Sequence, residues 1–266
     1  MEFRTKIEIK KTAWHIEPDS RLLLVGSCFA DEMGQRFLDN QFRAVVNPYG
    51  VMYNPASILH TIERTDCVPD VAILTLGTNH VYRLKETGEI VDNCQKRPQS
   101  LFSEEVLSVD ECADDLQRAI DLLAKRNPQV HIMMTVSPIR YAKYGFHGSR
   151  LSKATLLLAA EKVMVQKNNK VSIDYFPAYE IMNDELRDYR FHAPDMIHPT
   201  QQAIDYIWQR LAETCFSERT HQFLAEWRPI SQALNHRPFH PDSDEYRRFL
   251  QQTEERLSAF KDKYGI

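Results

Sequence analysis

Short apolar runs alternate with segments of helical spacing along most of the chain. Residues 21–26 form an apolar run that a glycine closes, as is typical of a buried parallel strand. Residues 29–39 then place large apolar side chains on one helical face. The same alternation predicts further strands at residues 42–46, 71–76, 130–136 and 171–176.

Capping signals predict where several helices begin. Asn54 and Pro55 are typical of an N-cap and a first helical residue, and they predict a helix to about Arg64. Ser108 and Glu111 form a capping box that opens another helix. The remaining predicted helices cover residues 151–167, a segment from Pro199 through Trp208, and Ser243 to Tyr264.

Strands that alternate with helices imply crossover connections, so the pattern predicts an α/β fold with a mostly parallel sheet. Residues 80–107 are more polar and irregular, and we expect an insertion with a hairpin around Thr87 and Gly88. We expect one main domain over residues 1–215. Residues 216–266 are rich in charge and predict a helical extension that packs on this domain or on a partner subunit.

Composition excludes several classes of partner and cofactor. The 266 residues carry a formal net charge of −4, which predicts neither nucleic acid nor an anionic membrane as partner. The five cysteines are irregularly spaced and include no C-x-x-C pair, so we expect no zinc site and no disulfide framework. We therefore expect no metal and no cofactor. The oligomeric state stays open, and a homo-oligomer is one alternative.

Hydropathy predicts the compartment. The N-terminal segment alternates charged and apolar residues and contains no apolar core of a signal peptide. No apolar run approaches the roughly 20 residues that a membrane helix needs. From these features and the cysteine usage we expect a cytoplasmic protein.

Short polar segments follow four of the predicted strands. They are Gly26 to Cys28, Asn47 to Gly50, Gly77 to Asn79, and Ser137 with Pro138. In parallel sheets the carboxyl ends of the strands lie on one edge, and sites form beyond them. The sequence therefore predicts a candidate site on this rim, to which Ser137 contributes a substrate contact. His147, in the segment after the fourth strand, is a second candidate for lining the pocket.

The residue types on this rim fit acyl transfer, which needs a nucleophile, a base and donors for an oxyanion. Ser27 and Cys28 are both candidate nucleophiles at a predicted helix N-terminus. Asp195 precedes His198 by three residues just before a helix, a spacing that allows the carboxylate to orient the imidazole. The amide of Asn79 is a candidate oxyanion donor.

Five stretches of the sequence resemble blocks of the GSCFA-domain family, a branch of the SGNH (GDSL-type) hydrolases. The stretches are "GSCFA" at 26–30, "NPYGVMYNP" at 47–55, "LGTNHVYRLKETGEIVDNC" at 76–94, "SRLSKATLLLA" at 149–159 and "DELRDYRFHAPDMIHPT" at 184–200. The resemblance covers about residues 1 to 215. It implies a flavodoxin-like three-layer α/β/α sandwich, here with a C-terminal helical appendage, and chemistry on esters.

The resemblance also implies roles for individual residues. Asp195 and His198 match the Asp-x-x-His block of the SGNH hydrolases, and Gly77 and Asn79 match their Gly-x-Asn block. Gly50 matches the glycine whose N–H contributes to the oxyanion hole. No cofactor is implied.

The resemblance leaves two candidates for the nucleophile. Alignment without gaps places Cys28 at the position of the SGNH serine and Ser27 at the preceding aspartate, so register favours Cys28. A helix N-terminus and a nearby histidine also favour the thiolate form of a cysteine. Chemistry by class favours Ser27, because esterases of this group use serine. Cys28 would then be a small buried apolar residue.

These features predict an SGNH-like esterase or acyl hydrolase that acts on an O-acyl ester, for which an acetylated carbohydrate is a candidate. A small-molecule or carbohydrate ester is thus the expected partner. Two alternatives stay open: an acyltransferase, and a non-catalytic protein that binds its ligand on an SGNH-like scaffold.

Overall fold

Eight strands and eight helices make up the regular structure of the computed structural model, which describes residues 4–92, 94, 97–166, 170–240 and 242–266. In chain order the strands are β1 (Arg21–Gly26), β2 (Arg43–Val46), β3 (Val71–Leu76), β4 (His80–Leu84), β5 (Ile90–Val91), β6 (Phe102–Val106), β7 (His131–Val136) and β8 (Ser172–Tyr175). The helices are α1 (Cys28–Asp39), α2 (Pro55–Arg64), α3 (Val109–Arg126), α4 (Gly145–Met164), α5 (Ala178–Glu180), α6 (Gln201–Cys215), α7 (Glu218–Leu234) and α8 (Asp244–Tyr264).

Five strands form a parallel sheet in the order β2-β1-β3-β7-β8. When these five strands are numbered by themselves, the order is 2-1-3-4-5, which is the flavodoxin-like arrangement. The predicted α/β fold with a mostly parallel sheet is therefore confirmed. The order reverses at β1 and β3, so the turns that follow these two strands lie beside the topological switch point where α/β proteins bind ligands.

Alternate residues of each strand face opposite layers of helices. Leu22 and Leu24 of β1 belong to the core that contains buried side chains of α1, α6 and α7. Leu23 and Val25 belong to the second core, with α2, α3 and α4. This period of two is what a strand buried on both faces requires, and it makes the molecule a three-layer sandwich.

The insertion after β3 is a small antiparallel sheet in the order β5-β4-β6. Gly88, at a φ of +74°, lies in the turn between β4 and β5, so the predicted hairpin is present. Near the first residue of β4, the N–H of Leu107 donates to the carbonyl of Asn79 at 2.9 Å. The insertion thus starts where the candidate rim segment ends.

The C-terminal helices pack on the same core as α1. Phe223 and Trp227 of α7 are buried together with Phe260 and Tyr264 of α8, and the indole N–H of Trp227 donates to the carbonyl of Asp39 at 2.8 Å. The helical extension predicted for residues 216–266 is therefore present as α7 and α8, although the sequence analysis predicted bounds for α8 alone. A domain boundary at residues 215 and 216 stays a prediction.

Two predicted helices differ from the structure in their bounds. Helix α4 begins at Gly145, six residues before the predicted start at 151, while residue 167 of the prediction lies outside the described residues. Helix α6 continues past Trp208 to Cys215, because Leu211 and Cys215 extend its buried stripe. Among the described helices, none is both long and apolar enough to cross a membrane.

Candidate active site

The turn after β1 gives two neighbouring polar residues different environments. Gly26 has a φ of +150°, and a Cβ there would overlap the carbonyl oxygen of Thr75 on β3, so only glycine fits. Ser27 is the N-cap of α1; its side chain is fully buried, and its Oγ accepts from the N–H of Phe29 at 3.3 Å. Cys28 is the first residue of the helix and is partly exposed. The thiol is therefore accessible, whereas the hydroxyl shapes the turn.

Two tyrosines stand beside the Cys28 thiol. The Tyr53 hydroxyl lies 3.7 Å from Cys28 Sγ, and burial, followed by this contact, raises the pKa of Tyr53 to about 12. The Tyr141 ring meets the Tyr53 ring edge-on, with centroids 6.0 Å apart. Burial is the main cause that raises the pKa of Tyr141, and the nearby Tyr53 and Cys28 add to it. Both phenols thus stay protonated and can donate hydrogen bonds.

Gly77, at the end of β3, is where these groups converge. A Cβ on Gly77 would lie 2.5 Å from the Tyr141 hydroxyl oxygen, 2.7 Å from the Tyr53 carbonyl oxygen and 3.2 Å from the Ser27 Cβ. Any larger residue would push these groups apart. The Tyr141 hydroxyl is buried and has no hydrogen-bond partner among the described residues. A buried hydroxyl without a partner is free to donate to a bound group, and the hydroxyls of Ser57, Thr61 and Thr135 are also buried without a partner among the described residues.

The loop before α6 holds the candidate base and its carboxylate. Asp195 Oδ1 accepts from the backbone N–H groups of Ile197 (2.9 Å) and His198 (3.0 Å), and Asp195 Oδ2 lies 2.6 Å from His198 Nδ1. The hydrogen bonds from His198 hold the pKa of Asp195 well below its usual range. Because Nδ1 faces a carboxylate, the proton of a neutral His198 resides there and Nε2 is left as the acceptor. A general base needs this tautomer.

Helices α1 and α6 bring the two halves of the candidate site to the same edge of the sheet. Gln201, the first residue of α6, donates to Glu32 Oε2 at 3.2 Å and accepts from Arg36 at 2.9 Å. Glu32 lies one helical turn after Cys28 and Gln201 three residues after His198. Cys28 and Ile197 also pack against the same core. Among the described residues, no hydrogen bond joins the thiol to the imidazole.

The predicted oxyanion donors are already used within the structure. The N–H of Gly50 donates to the Asn47 carbonyl at 2.8 Å. The Asn79 amide nitrogen donates to the Leu107 carbonyl at 2.7 Å, which together with the return bond from the Leu107 N–H ties β4 to the end of β6. One N–H of the Asn79 amide thus has a structural acceptor, and the role of Asn79 as an oxyanion donor stays a prediction.

The N–H of Gly77 is also occupied, because it donates to the Tyr53 carbonyl at 3.0 Å. This bond joins the end of β3 to the segment before α2. Gly77 thus belongs to the candidate site by steric fit, and it offers no free donor in this arrangement.

Among the described residues, neither Ser137 nor His147 has a hydrogen bond to Cys28, Tyr53 or Tyr141. Ser137 is fully buried, and its Oγ accepts from the N–H of Ile139 at 3.3 Å, so it closes the turn after β7. His147 was expected in a loop, but it lies in the first turn of α4, where it is exposed. Helix α4 starts earlier than its apolar pattern indicates, and this moves His147 onto a helical surface.

Lys153 is a site residue that the sequence analysis missed. Its side chain is buried, and Nζ donates to the Gly77 carbonyl at 2.6 Å and lies 5.1 Å from the centre of the Tyr141 ring. Burial lowers the pKa of Lys153 to about 7. Tyr53 and Lys153 both fall within stretches that carry the family resemblance, a signal that could have identified them. Tyr141 lies outside those stretches.

A pocket of about 350 Å³ adjoins the Asp195–His198 loop. Its walls come from the segment after β7, from the first turns of α4 and from the segment that follows α5, and Met196 and Lys153 are among its lining residues. Among the described residues, no group of three histidine, cysteine or acidic side chains is arranged to hold a metal ion.

Comparisons with known sequences identify the family of the chain. The sequence profile described as the GSCFA family matches residues 21–67 and 68–211, and the profile described as the GSCFA domain protein, C-terminal domain, matches residues 227–265. The comparison with curated proteins finds no match.

Solved structures are similar to this chain at low sequence identity. A protein from Streptococcus pneumonia, provisionally described as a platelet activating factor, is 15% identical over 74% of this chain and 84% of its own, with a TM-score of 0.49. A carbohydrate esterase family 3 protein from Talaromyces cellulolyticus is 10% identical over 78% of this chain and 99% of its own, with a TM-score of 0.42. An acetyl-xylooligosaccharide esterase variant from Geobacillus Stearmophilus is 13% identical over 75% of this chain and 95% of its own, with a TM-score of 0.46.

Proposed function

The chain belongs to the GSCFA family, and from this premise and the geometry of the rim we propose that it is an acyl hydrolase whose nucleophile is Cys28. The observation that carries the proposal is the contrast at the start of α1. The Cys28 thiol is accessible at the helix N-terminus, while the Ser27 hydroxyl is fully buried as the helix cap. The substrate class is an O-acyl ester.

His198 and Asp195 supply the proton transfers. Nε2 of His198 takes the thiol proton as Cys28 Sγ attacks the acyl carbon, and Asp195 stabilises the imidazolium that forms. The tetrahedral intermediate then collapses to a thioester. The alcohol leaves with the proton that His198 returns. Water, deprotonated by His198, hydrolyses the thioester and regenerates the thiol.

Two donors near Cys28 are suited to the oxyanion. The N–H of the first residue of a helix has no acceptor within the helix, and in α1 that residue is Cys28. The Tyr141 hydroxyl is buried, protonated and unpaired. We assign the oxyanion hole to these two donors, because the Gly50 N–H and one N–H of the Asn79 amide already donate elsewhere.

Acyl-enzyme trapping tests the proposal. The protein is mixed with p-nitrophenyl acetate; release of nitrophenol is followed by absorbance, and the attached acetyl group by mass spectrometry of the intact protein and its peptides. We expect the acetyl group on Cys28. Cys28→Ala should lose both the adduct and the turnover that depends on His198.

Ser27→Ala is the matched control at the neighbouring position. It should keep the adduct on Cys28 while losing about 1 kcal/mol of stability, because it removes a helix cap. An adduct on Ser27, or equal rates for the wild type and for Cys28→Ala, contradicts the assignment. Equal rates for the wild type and for His198→Ala favour a binding protein without turnover. An added alcohol that takes up the acetyl group faster than water does identifies an acyltransferase.

A further inference from the structure

The pocket beside the Asp195–His198 loop touches the candidate active site at two points. Arg140, on its wall, donates through its backbone N–H to the Ile197 carbonyl at 3.2 Å and through Nη1 to the Met196 carbonyl at 3.4 Å. On the floor, Lys153 contacts the Gly77 carbonyl. A molecule in this pocket would therefore lie between the histidine loop and the end of β3.

The charged residues that line the pocket are all basic. Arg140 and Arg150 both line it, and none of its described lining residues is an acid. Neither guanidinium is ion-paired among the described residues, and Arg150 has no hydrogen bond there. Several other arginines face carboxylates: Arg21 with Asp70, Arg64 with Asp92, Arg83 with Glu105, and Arg210 with Glu185. Arg140 and Arg150 thus place two guanidinium groups in one pocket with no carboxylate partner among the described residues.

Acidic residues lie in the adjoining cleft. That cleft, of about 520 Å³, shares Arg140 and Arg150 with the pocket and adds Arg187, Asp184 and Asp188. The Asp188 carboxylate already accepts a hydrogen bond from the backbone N–H of Arg190 at 2.9 Å. Arg140 and Arg150, which line both the pocket and the cleft, therefore have no carboxylate partner among the described residues.

Two exposed aromatic rings flank the same pocket. Phe146 is 58% exposed and Tyr189 is 75% exposed, values that are high for large apolar side chains lining a concave surface. The Arg140 guanidinium lies 5.8 Å from the centre of the Phe146 ring. Exposed apolar surface with a polar surround is typical of a ligand site. The rings offer a face on which the apolar side of a sugar-sized ring can pack.

We propose that this pocket binds an anionic group, a carboxylate or a phosphate, on the ring-containing alcohol part of the ester substrate. Arg140 and Arg150 hold the anion, because planar guanidinium groups bind carboxylates and phosphates through paired hydrogen bonds. Phe146 and Tyr189 pack against the ring. The inference rests on the proposed function in one respect, namely that the neighbouring Cys28 site acts on an ester.

Equilibrium binding tests the proposal without turnover. The full-length Cys28→Ala protein is titrated by calorimetry at low ionic strength with three probes: D-glucuronate, glucose 6-phosphate and glucose. We expect at least one anionic sugar to bind ten times more tightly than glucose, and its affinity to fall as salt is added. The better of the two anionic probes identifies the anion as carboxylate or phosphate.

Arginine variants locate the binding. Arg150→Gln, which removes no hydrogen bond or ion pair among the described residues, should weaken binding of the anionic probe about tenfold and leave glucose binding unaffected. Arg118→Gln is the matched control, because Arg118 lies on α3 and pairs with Glu63. An equal loss in both variants, equal affinity for all three probes, or binding of none of them overturns the proposal. The acetylation of Cys28 is measured separately. A negative binding result would therefore contradict the anion site and leave the assignment of the nucleophile untouched.

Discussion

The turns after β1 and β3 look alike in the sequence and differ in the structure. Each follows a buried strand and consists of a glycine and two small polar or thiol residues, Gly26 to Cys28 and Gly77 to Asn79. The strands are adjacent and parallel. After β1, the thiol of the last residue is accessible beside two tyrosines.

After β3, the described polar groups of the turn form hydrogen bonds to other segments of this chain. The Thr78 hydroxyl bonds Ser152 Oγ at 2.9 Å, the Asn79 N–H donates to the same oxygen at 3.0 Å, and the Asn79 amide donates to Leu107. The reason is the element that follows. The chain after β1 enters a helix, whose first N–H groups have no acceptor within the helix, whereas the chain after β3 enters an insertion that must be joined to the main sheet. A strand-end polar residue is thus available for chemistry only where neighbouring elements leave it free.

Loss of the base should give the largest effect. His198→Ala and Asp195→Asn should each lower turnover of p-nitrophenyl acetate by about 10³-fold or more, because the thiol then lacks a correctly oriented base. Steady-state rates measure this. His147→Ala is the control, since His147 is exposed on α4, and its rate should equal that of the wild type. A wild-type rate in His198→Ala would mean that turnover does not depend on His198, and therefore not on a Cys28 thiol that His198 deprotonates.

Tyr141→Phe should separate activity from stability. Removing the hydroxyl should lower kcat about 10- to 100-fold with KM unchanged, because an oxyanion donor acts on the transition state. The free energy of unfolding should stay constant or rise, because the hydroxyl is buried without a partner. Tyr144→Phe is the control for kcat, because the Tyr144 ring stacks with the Tyr141 ring at 6.2 Å between centroids. An unchanged kcat in Tyr141→Phe would mean that another group donates to the oxyanion.

Asn79→Ala tests the turn after β3 directly. Loss of the bond to the Leu107 carbonyl should lower the free energy of unfolding by about 1–3 kcal/mol. The rate per folded molecule should change less than about twofold. Denaturant unfolding and active-site titration measure the two quantities. An oxyanion donor would instead reduce kcat by about 10²- to 10³-fold, and that result would make the two turns functionally equivalent.

Lys153 should add a small pH dependence to stability. Its folded-state pKa, about 7, lies below the usual value for lysine, so between these values the unfolded chain binds one proton more than the folded chain. Stability therefore rises with pH in this window, by about 1 kcal/mol between pH 7 and 8. Lys153→Met should show a flatter profile in urea unfolding. Parallel profiles for the two proteins would mean that Lys153 stays charged in the fold.

Local patterns of apolar and capping residues were sufficient to predict most of the strands and helices. The strands at 71–76 and the helix at 55–64 were predicted with the bounds that the structure shows, because apolar periodicity and a capping asparagine act within a few residues. The same holds for the capping box at Ser108 and Glu111, whose reciprocal bonds are both present. The bounds of α7 were not predicted, although residues 216–266 were expected to be helical, because its few buried residues stand among many polar and charged ones.

The sequence by itself determined the parallel α/β sheet, the position of the rim segments and the pairing of Asp195 with His198, because each depends on spacing along a short length of chain. Tertiary structure decided the rest. It buried the Ser27 hydroxyl and exposed the Cys28 thiol, bound the Asn79 amide to Leu107, and brought Tyr141 and Lys153 to the end of β3. Whether a polar group is free or already bonded depends on residues that are distant along the chain, and packing alone brings them together.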